Sequence, residues 1–256
     1  MIHETAIIHP GAKIAEGVEI GPYSIIGEHV EIGAGTSIAS HVVIKGHTRI
    51  GRDNRIFQFA SLGEIPQDKK YAGEPTRLEI GDRNTIREYC NFNTGTVQDG
   101  GLTRIGNDNW FMVCVHIGHD CQVGNNTIMA NSVAVGGHVH VGDFAILGGM
   151  TAVHQFSVVG AHSMAGGGSI LTQDLPPYVM CSGNPASPHG INSEGLRRRG
   201  FSAEAIAAIK RAYKQIYRQN LSLDEARKLI AEQAQSTPEL QLFGAFFELA
   251  KRGIIR

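Results

Sequence analysis

An aliphatic or aromatic residue returns at every sixth position through most of this chain, and few folds can use a period of six. The series runs unbroken from Ile8, Ile14 and Ile20 to Leu62, reappears as Ile80, Ile86 and Phe92, then continues from Ile105 through Ile117, Val135 and Val153 to Leu171. An α-helix repeats every 3.6 residues and a long strand every two, so neither produces it. Two residues before each aliphatic the side chain is mostly small or β-branched, as at Ala6, Val18, Ser24, Thr36 and Val133, with Asn54 an exception. Two inward positions two residues apart make a short strand. Gly or Asn often follows the aliphatic, where it is expected to turn the corner. Together these features are the hexapeptide signature of a parallel β-helix. Composition agrees, because 32 glycines and only 7% aromatic residues suit many tight corners around an aliphatic core.

Two insertions break the hexads, Gly63 to Glu79 and roughly Asn93 to Arg104. Long excursions from a rigid repeat usually carry function. Leu62 and Ile80 are eighteen apart, so the first insertion keeps the phase and is expected to replace one coil of chain. Past Pro176-Pro177 the period becomes helical. Ile206, Ile209, Tyr213, Ile216 and Tyr217 form one stripe, Ser222 and Glu225 a capping box, and Pro238 opens a helix with Leu240, Phe243, Phe247 and Ala250. We therefore expect an all-β domain over residues 1–191 and a small helical domain over residues 192–256.

No segment reads as a secretory leader or a run of about 18 apolar residues able to span a bilayer, which predicts a cytoplasmic protein. Cys90, Cys114, Cys121 and Cys181 form no C-x-x-C pair and are expected to be free thiols. Charge is uneven: residues before the boundary hold 11 Lys/Arg against 17 Asp/Glu, and those after it 12 against 7. A basic tail suits an acidic or phosphate-bearing partner. No nucleic-acid motif is present, so no such partner is expected.

The histidines carry the chemistry. None of His29, His41, His47, His116, His119, His138, His140, His154 or His162 falls on an inward position, so all are expected to face outward. With eighteen residues per coil, His119, Gly137 and Gln155 share one column, Asp120 and His138 the next, and His116 and His154 lie close by. The plain alternative is a set of solvated surface imidazoles. Clustering favours a general base, His119, with Asp120 or a neighbouring oxygen to orient it and the Gly137 amide beside it. Those parts suit acyl transfer without a covalent intermediate, since no G-x-S-x-G elbow is present.

The stretches QFASLGE, QDKKYAGEPTR, HIGHDC, GGMTAVHQF, PPYV and EGLRRRGF span the chain. In them the sequence resembles the bacterial UDP-N-acetylglucosamine O-acyltransferases, a family of left-handed hexapeptide proteins. The resemblance implies a left-handed parallel β-helix, a homotrimer, and transfer of a 3-hydroxyacyl chain from acyl carrier protein to the sugar 3-hydroxyl, opening lipid A synthesis. It also implies His119 as base, Asp120 as its support and the Gly137 N–H as oxyanion donor. Asp68, Lys70, His116, His138, His154 and Gln155 would surround sugar, phosphates and acyl group. Asn192, Glu194, Arg198 and Arg199 would meet the nucleotide, two guanidiniums suiting phosphate or uracil oxygens. Gly167 would leave the end of the acyl groove open for a long chain. The basic tail would dock the acidic carrier protein. No cofactor or metal is implied. The chain departs from the family at Asn93-Thr94, where His-Arg is usual.

Two rival functions are defined by the same residues. His116, His119 and His138 could form a three-imidazole zinc site of the carbonic anhydrase type, and the acceptor could carry a 3-amino group, making the enzyme an N-acyltransferase. A noncatalytic scaffold would leave the histidine column without a role.

Overall fold

The structure, a computed structural model, describes residues 1–256. Its strands are mostly two residues long and stack into three sheets of nine, eight and ten strands. Pairing advances eighteen residues at a time: Ile7 lies on Ile25, Lys13 on Glu31 and Glu19 on Ser37, all parallel. Consecutive strands thus go to consecutive sheets, and the chain winds a three-sided parallel β-helix, as the period of six requires. We call the faces one, two and three after their first strands, Ile7–Ile8, Lys13–Ile14 and Glu19–Ile20. Only the final strand, Ser187–Ile191, runs antiparallel.

The repeated aliphatics fill the prism. Ile26, Ile44, Leu62, Phe92, Ile117 and Val135 stack along face one with at most 1% of their surface exposed. Each such side chain contributes roughly 1.5–3 kcal/mol of burial. The exception at Asn54 belongs to a polar ladder inside the coil. Asn84 donates to Asn54 Oδ1 from both its backbone N and Nδ2, and the Asn109 N–H donates to Asn84 Oδ1. Their Nδ2 groups donate to the carbonyls of Gly81, Gly106 and Gly124 at 2.9–3.0 Å. These buried amides are tolerated because every one is bonded.

The corners differ from expectation. The residue that takes the left-handed conformation is the third after the aliphatic, such as Tyr23, His41, Asp120 and His138 with φ of 57–62°, not the glycine that follows it directly. That glycine answers a different demand. A Cβ on Gly33 would stand 2.5 Å from the Gly51 carbonyl oxygen of the next coil, so the side chain is excluded by coil spacing.

The first insertion also differs, because it replaces no coil. Leu62 pairs with Phe92 on face one and Ile80 with Ile50 on face two, so the two residues stand one corner apart. Strand structure runs on through Glu64 and resumes at Arg77, leaving a shorter loop than Gly63 to Glu79. The second insertion leaves face one at Asn93 and rejoins face two at Leu102. Both therefore spring from the same edge of the prism, between faces one and two. His119, His138 and His154 lie on the later corners of that edge.

Beyond Ile191 come four helices: α1 (Ser193–Arg198), α2 (Ala203–Tyr217), α3 (Leu223–Ala234) and α4 (Gln241–Leu249). Helix α1 was not separable in the sequence from the entry to α2. The capping box at Ser222 and Glu225 forms as expected. Pro238 opens a single 3-10 turn ahead of α4, and Ala250 lies just past its end. Tyr178, Ile209, Ile230, Phe243 and Phe247 share the apolar cluster that joins the helices to the last coils. No helix is long and apolar enough to cross a membrane.

Candidate active site

A cleft of about 790 Å³ opens on the edge between faces one and two. Asp68 and Lys70 of the first loop, Asp99 of the second, and His116, His119, Gly137, His138 and Gln155 of the coil all line it. The eighteen-residue count thus places the column as expected, and the loops cover it because they leave from the same corner one and two coils earlier.

His119 is the best-supported group in this cleft. Its Nδ1 lies 2.8 Å from Asp120 Oδ2, and the Asp120 side chain is wholly buried. That carboxylate also accepts from the Thr96 N–H at 2.8 Å and the Thr96 hydroxyl at 2.6 Å, while the Asp120 N–H donates to Thr103 Oγ1. Burial pushes the Asp120 pKa up, but hydrogen bonds from His119 and Thr96 outweigh it and hold the group below its ordinary value. It is a carboxylate at neutral pH and accepts from Nδ1–H of His119, which leaves Nε2 as the ring nitrogen beside Gly137.

Gly137 lies directly above that ring. A Cβ there would fall 2.6 Å from both Cε1 and Nε2 of His119. The Gly137 N–H finds no acceptor in the protein. This matters because on the next edge the same position of the repeat is satisfied by a side-chain ladder: Asp82 N donates to Asn107, Asn107 N to Asn125 and Asn125 N to Asp143, at 2.7–2.8 Å. Above His119 no such ladder exists, and the Gly137 N–H, like those of His119 and Gln155 in the same column, has no protein acceptor.

The remaining histidines are individually fixed. His116 Nδ1 is 2.8 Å from Asn91 Oδ1, and burial lowers its pKa. His138 Nδ1 is 2.8 Å from Asp99, while its ring stacks on Phe156 and meets His119 edge-on at 4.9 Å. His154 is exposed, donates from Nδ1 to the Gln155 carbonyl, and does not line the cleft. His162 points out of the coil, as expected, yet is buried between Phe144 and Tyr178.

The ligand atoms that do converge, within 4.8 Å of one another, belong to His119, Asp120 and His138. His116 stands outside that group, so the three-imidazole set is not assembled. Asp120 Oδ2 already accepts from Thr96 and His119, which gives this trio the hydrogen bonding of an oriented base.

Five other residues of interest lie elsewhere. The Asn192 side chain caps α1 by accepting from the Gly195 N–H and also donates to the His162 carbonyl. Glu194 pairs with Arg197 and Arg198 on the exposed side of α1. Arg199 lies over the Phe144 ring and donates to the Phe144 carbonyl, at the edge between faces two and three. Gly167 is exposed at the third edge. None of these residues lines the cleft around His119. Sequence reasoning missed Thr96, Thr103 and Asp99, because the insertions break the count of eighteen that would have placed them beside Asp120 and His138.

A three-sided parallel prism of hexapeptide coils bearing an oriented imidazole beside a backbone N–H, with no serine or cysteine in the cleft, has the parts of a site for direct acyl transfer. The comparisons narrow this. Residues 174–255 match the family described as Udp N-acetylglucosamine O-acyltransferase, Domain 2, and residues 1–34 match the bacterial transferase hexapeptide repeat. An acyl-[acyl-carrier-protein]–UDP-N-acetylglucosamine O-acyltransferase of Thiobacillus denitrificans is 62% identical over 100% of this chain and 99% of its own length; that of Herminiimonas arsenicoxydans is 58% identical with the same coverage. The crystal structure of UDP-N-acetylglucosamine O-acyltransferase from Moraxella catarrhalis superposes with a TM-score of 0.97 at 50% identity, covering 100% of this chain and 99% of that one. The chain belongs to the UDP-N-acetylglucosamine O-acyltransferase family.

Proposed function

We propose that this enzyme moves a 3-hydroxyacyl chain from acyl carrier protein to the 3-hydroxyl of UDP-N-acetylglucosamine, the first step of lipid A synthesis, in the cytoplasm. The observation that carries the mechanism is the His119–Asp120–Thr96 relay beneath the unpaired Gly137 N–H. Nε2 of His119 takes the proton of the sugar hydroxyl as its oxygen attacks the thioester carbonyl. The resulting oxyanion is held by the Gly137 N–H, a contribution of about 2.7–4 kcal/mol per donor. Collapse breaks the C–S bond, and the departing thiolate recovers the proton from the imidazolium. Asp120 stays ionised throughout, orienting the ring and stabilising its charged form.

Asp68, Lys70, His116, His138 and Gln155 surround the bound reactants in the cleft, with His154 at its margin. Asn192, Glu194, Arg198, Arg199 and Gly167 do not line the cleft of their own chain. A homotrimer resolves this, since a neighbouring prism can bring its helical tail and outer corner to the cleft. The basic helices then give the acidic carrier protein a docking face, and Gly167, with no side chain to block a groove, favours a long acyl chain. Mass-spectrometric detection of 3-O-acylated product from 3-hydroxyacyl carrier proteins and UDP-N-acetylglucosamine tests this reading. A product with a 3-amino acceptor and none with the 3-hydroxyl would replace it with N-acyl transfer.

A further inference from the structure

Asn93 and Thr94 are buried side chains at the root of the second insertion, and neither contacts His119 or Asp120 through a hydrogen bond. Asn93 Nδ2 points at two backbone carbonyls of the first loop, Ile65 O at 3.0 Å and Glu64 O at 3.4 Å. Since carbonyls can only accept, the amide orientation is fixed, and Oδ1 is left buried without a partner. No other bond holds this side chain. Thr94 works on both ends of the same loop. Its backbone N–H donates to the Glu64 carbonyl, and its hydroxyl lies 3.1 Å from that of Thr76, where the loop rejoins the coil.

These contacts come at a place where ordinary pairing fails. The ladder between the two strands slips at Gly63, so that Leu62 faces Phe92 but Glu64 faces Asn93. Past that slip the first loop has no strand partner until Arg77. Between the two points lie Gln67, Asp68, Lys69 and Lys70, all on the cleft. Within the loop itself the bonds are local, from the Lys70 N–H to Asp68 and from the Tyr71 hydroxyl to the Glu74 carbonyl. Two residues further on, Thr96 holds Asp120. One short segment thus ties the loop that lines the cleft to the carboxylate that orients the base.

We propose that Asn93 and Thr94 are positioning residues that clip both ends of the loop over residues 65–76, so that Asp68 and Lys70 are presented to the acceptor. This deepens the proposed function and rests on it for the word acceptor; the clip itself does not depend on the reaction. Removing a clip bond frees the loop without altering the His119–Asp120 pair. The expected signature is a raised KM for the sugar nucleotide, with kcat and its pH profile little changed.

The test uses Thr94→Val, Thr76→Val, the double variant and Thr94→Ser. Limited trypsin digestion follows cleavage after Lys69 and Lys70, and steady-state kinetics are measured on the same proteins. Loss of one such bond is expected to raise cleavage and KM by about three- to tenfold. The double variant should match the singles, since both remove one shared contact, and Thr94→Ser should behave as the native chain. Asn93→Ala, whose side chain also lines the cleft, is read by cleavage and melting temperature only and should open the loop further. Unchanged cleavage in Thr94→Val and Asn93→Ala would overturn the clip. Faster cleavage with an unchanged KM would also overturn it as a positioning device. Absence of transfer by the native chain would instead refute the assigned reaction and leave the digestion result standing.

Discussion

The α-carbon of Gly137 lies so close to His119 that a methyl group on it would sit 2.6 Å from Nε2 of the imidazole. Glycine is needed here for proximity; its backbone does not take the left-handed conformation of the residue after it, His138. Gly137→Ala is therefore expected to displace the base and crowd its N–H, lowering kcat by about tenfold or more, as a misplaced catalytic group does. Stopped-flow or steady-state transfer rates check this, with circular dichroism to establish that the coil persists.

Asp120 contributes through orientation. Replacing it with Asn keeps the size but sets an amide where two Thr96 donors and the His119 N–H converge, so one donor must lose its acceptor. We expect kcat to fall about 10²- to 10⁴-fold, the range in which an oriented general base acts. Thr96→Val removes only the hydroxyl bond and should cost less, about 1.5–3 kcal/mol for a bond to a charged group. Chemical denaturation and transfer assays on both variants measure the difference.

Acid should destabilise the fold partly through His162. Burial, with Arg199 beside it, pushes this histidine down to about 4 from its ordinary 6.5. Asp143 is the one nearby group that opposes the shift, and Phe144, Tyr178 and Phe201 pack its ring. A pKa lowered on folding means the unfolded chain binds the proton more readily. The stabilisation is complete above about 6.5 and is lost as pH falls toward about 4. His162→Phe should flatten the pH dependence of stability in that window, as read by urea midpoints between pH 4 and 7.

The interior asparagine ladder gives a prediction independent of catalysis. Asn84→Ala removes the acceptor of the buried Asn109 N–H and the Nδ2 donor to Asn54 Oδ1, while the backbone N–H of residue 84 keeps its bond to Asn54. Each buried polar group left unpaired costs about 1–3 kcal/mol, so the melting temperature should drop by several degrees without a change in kcat.

Much of this was legible in the sequence because a coil of eighteen residues converts sequence spacing directly into distance. His119 and Gly137 could be placed together by counting, as could Asp120 and His138. Counting failed wherever the interval changed. Leu62 and Ile80 kept the phase by coincidence yet stand one corner apart, and Thr96 reaches Asp120 across an insertion whose length no repeat determines. The corner glycines were assigned the wrong cause, since a six-residue period shows where a small residue recurs but not whether backbone conformation or a neighbouring coil demands it. Asn192 illustrates a further gap: as a residue before a helix it reads equally as a ligand contact and as a cap, and here it caps α1.

The most direct test of His119 as the general base is single-turnover transfer from 3-hydroxyacyl carrier protein to UDP-N-acetylglucosamine by the native chain and by His119→Ala, across pH 5 to 9. The account predicts a rate reduced by about 10²- to 10⁴-fold in the variant across that range. A His119→Ala protein that transfers at the native rate with the native pH profile would contradict it.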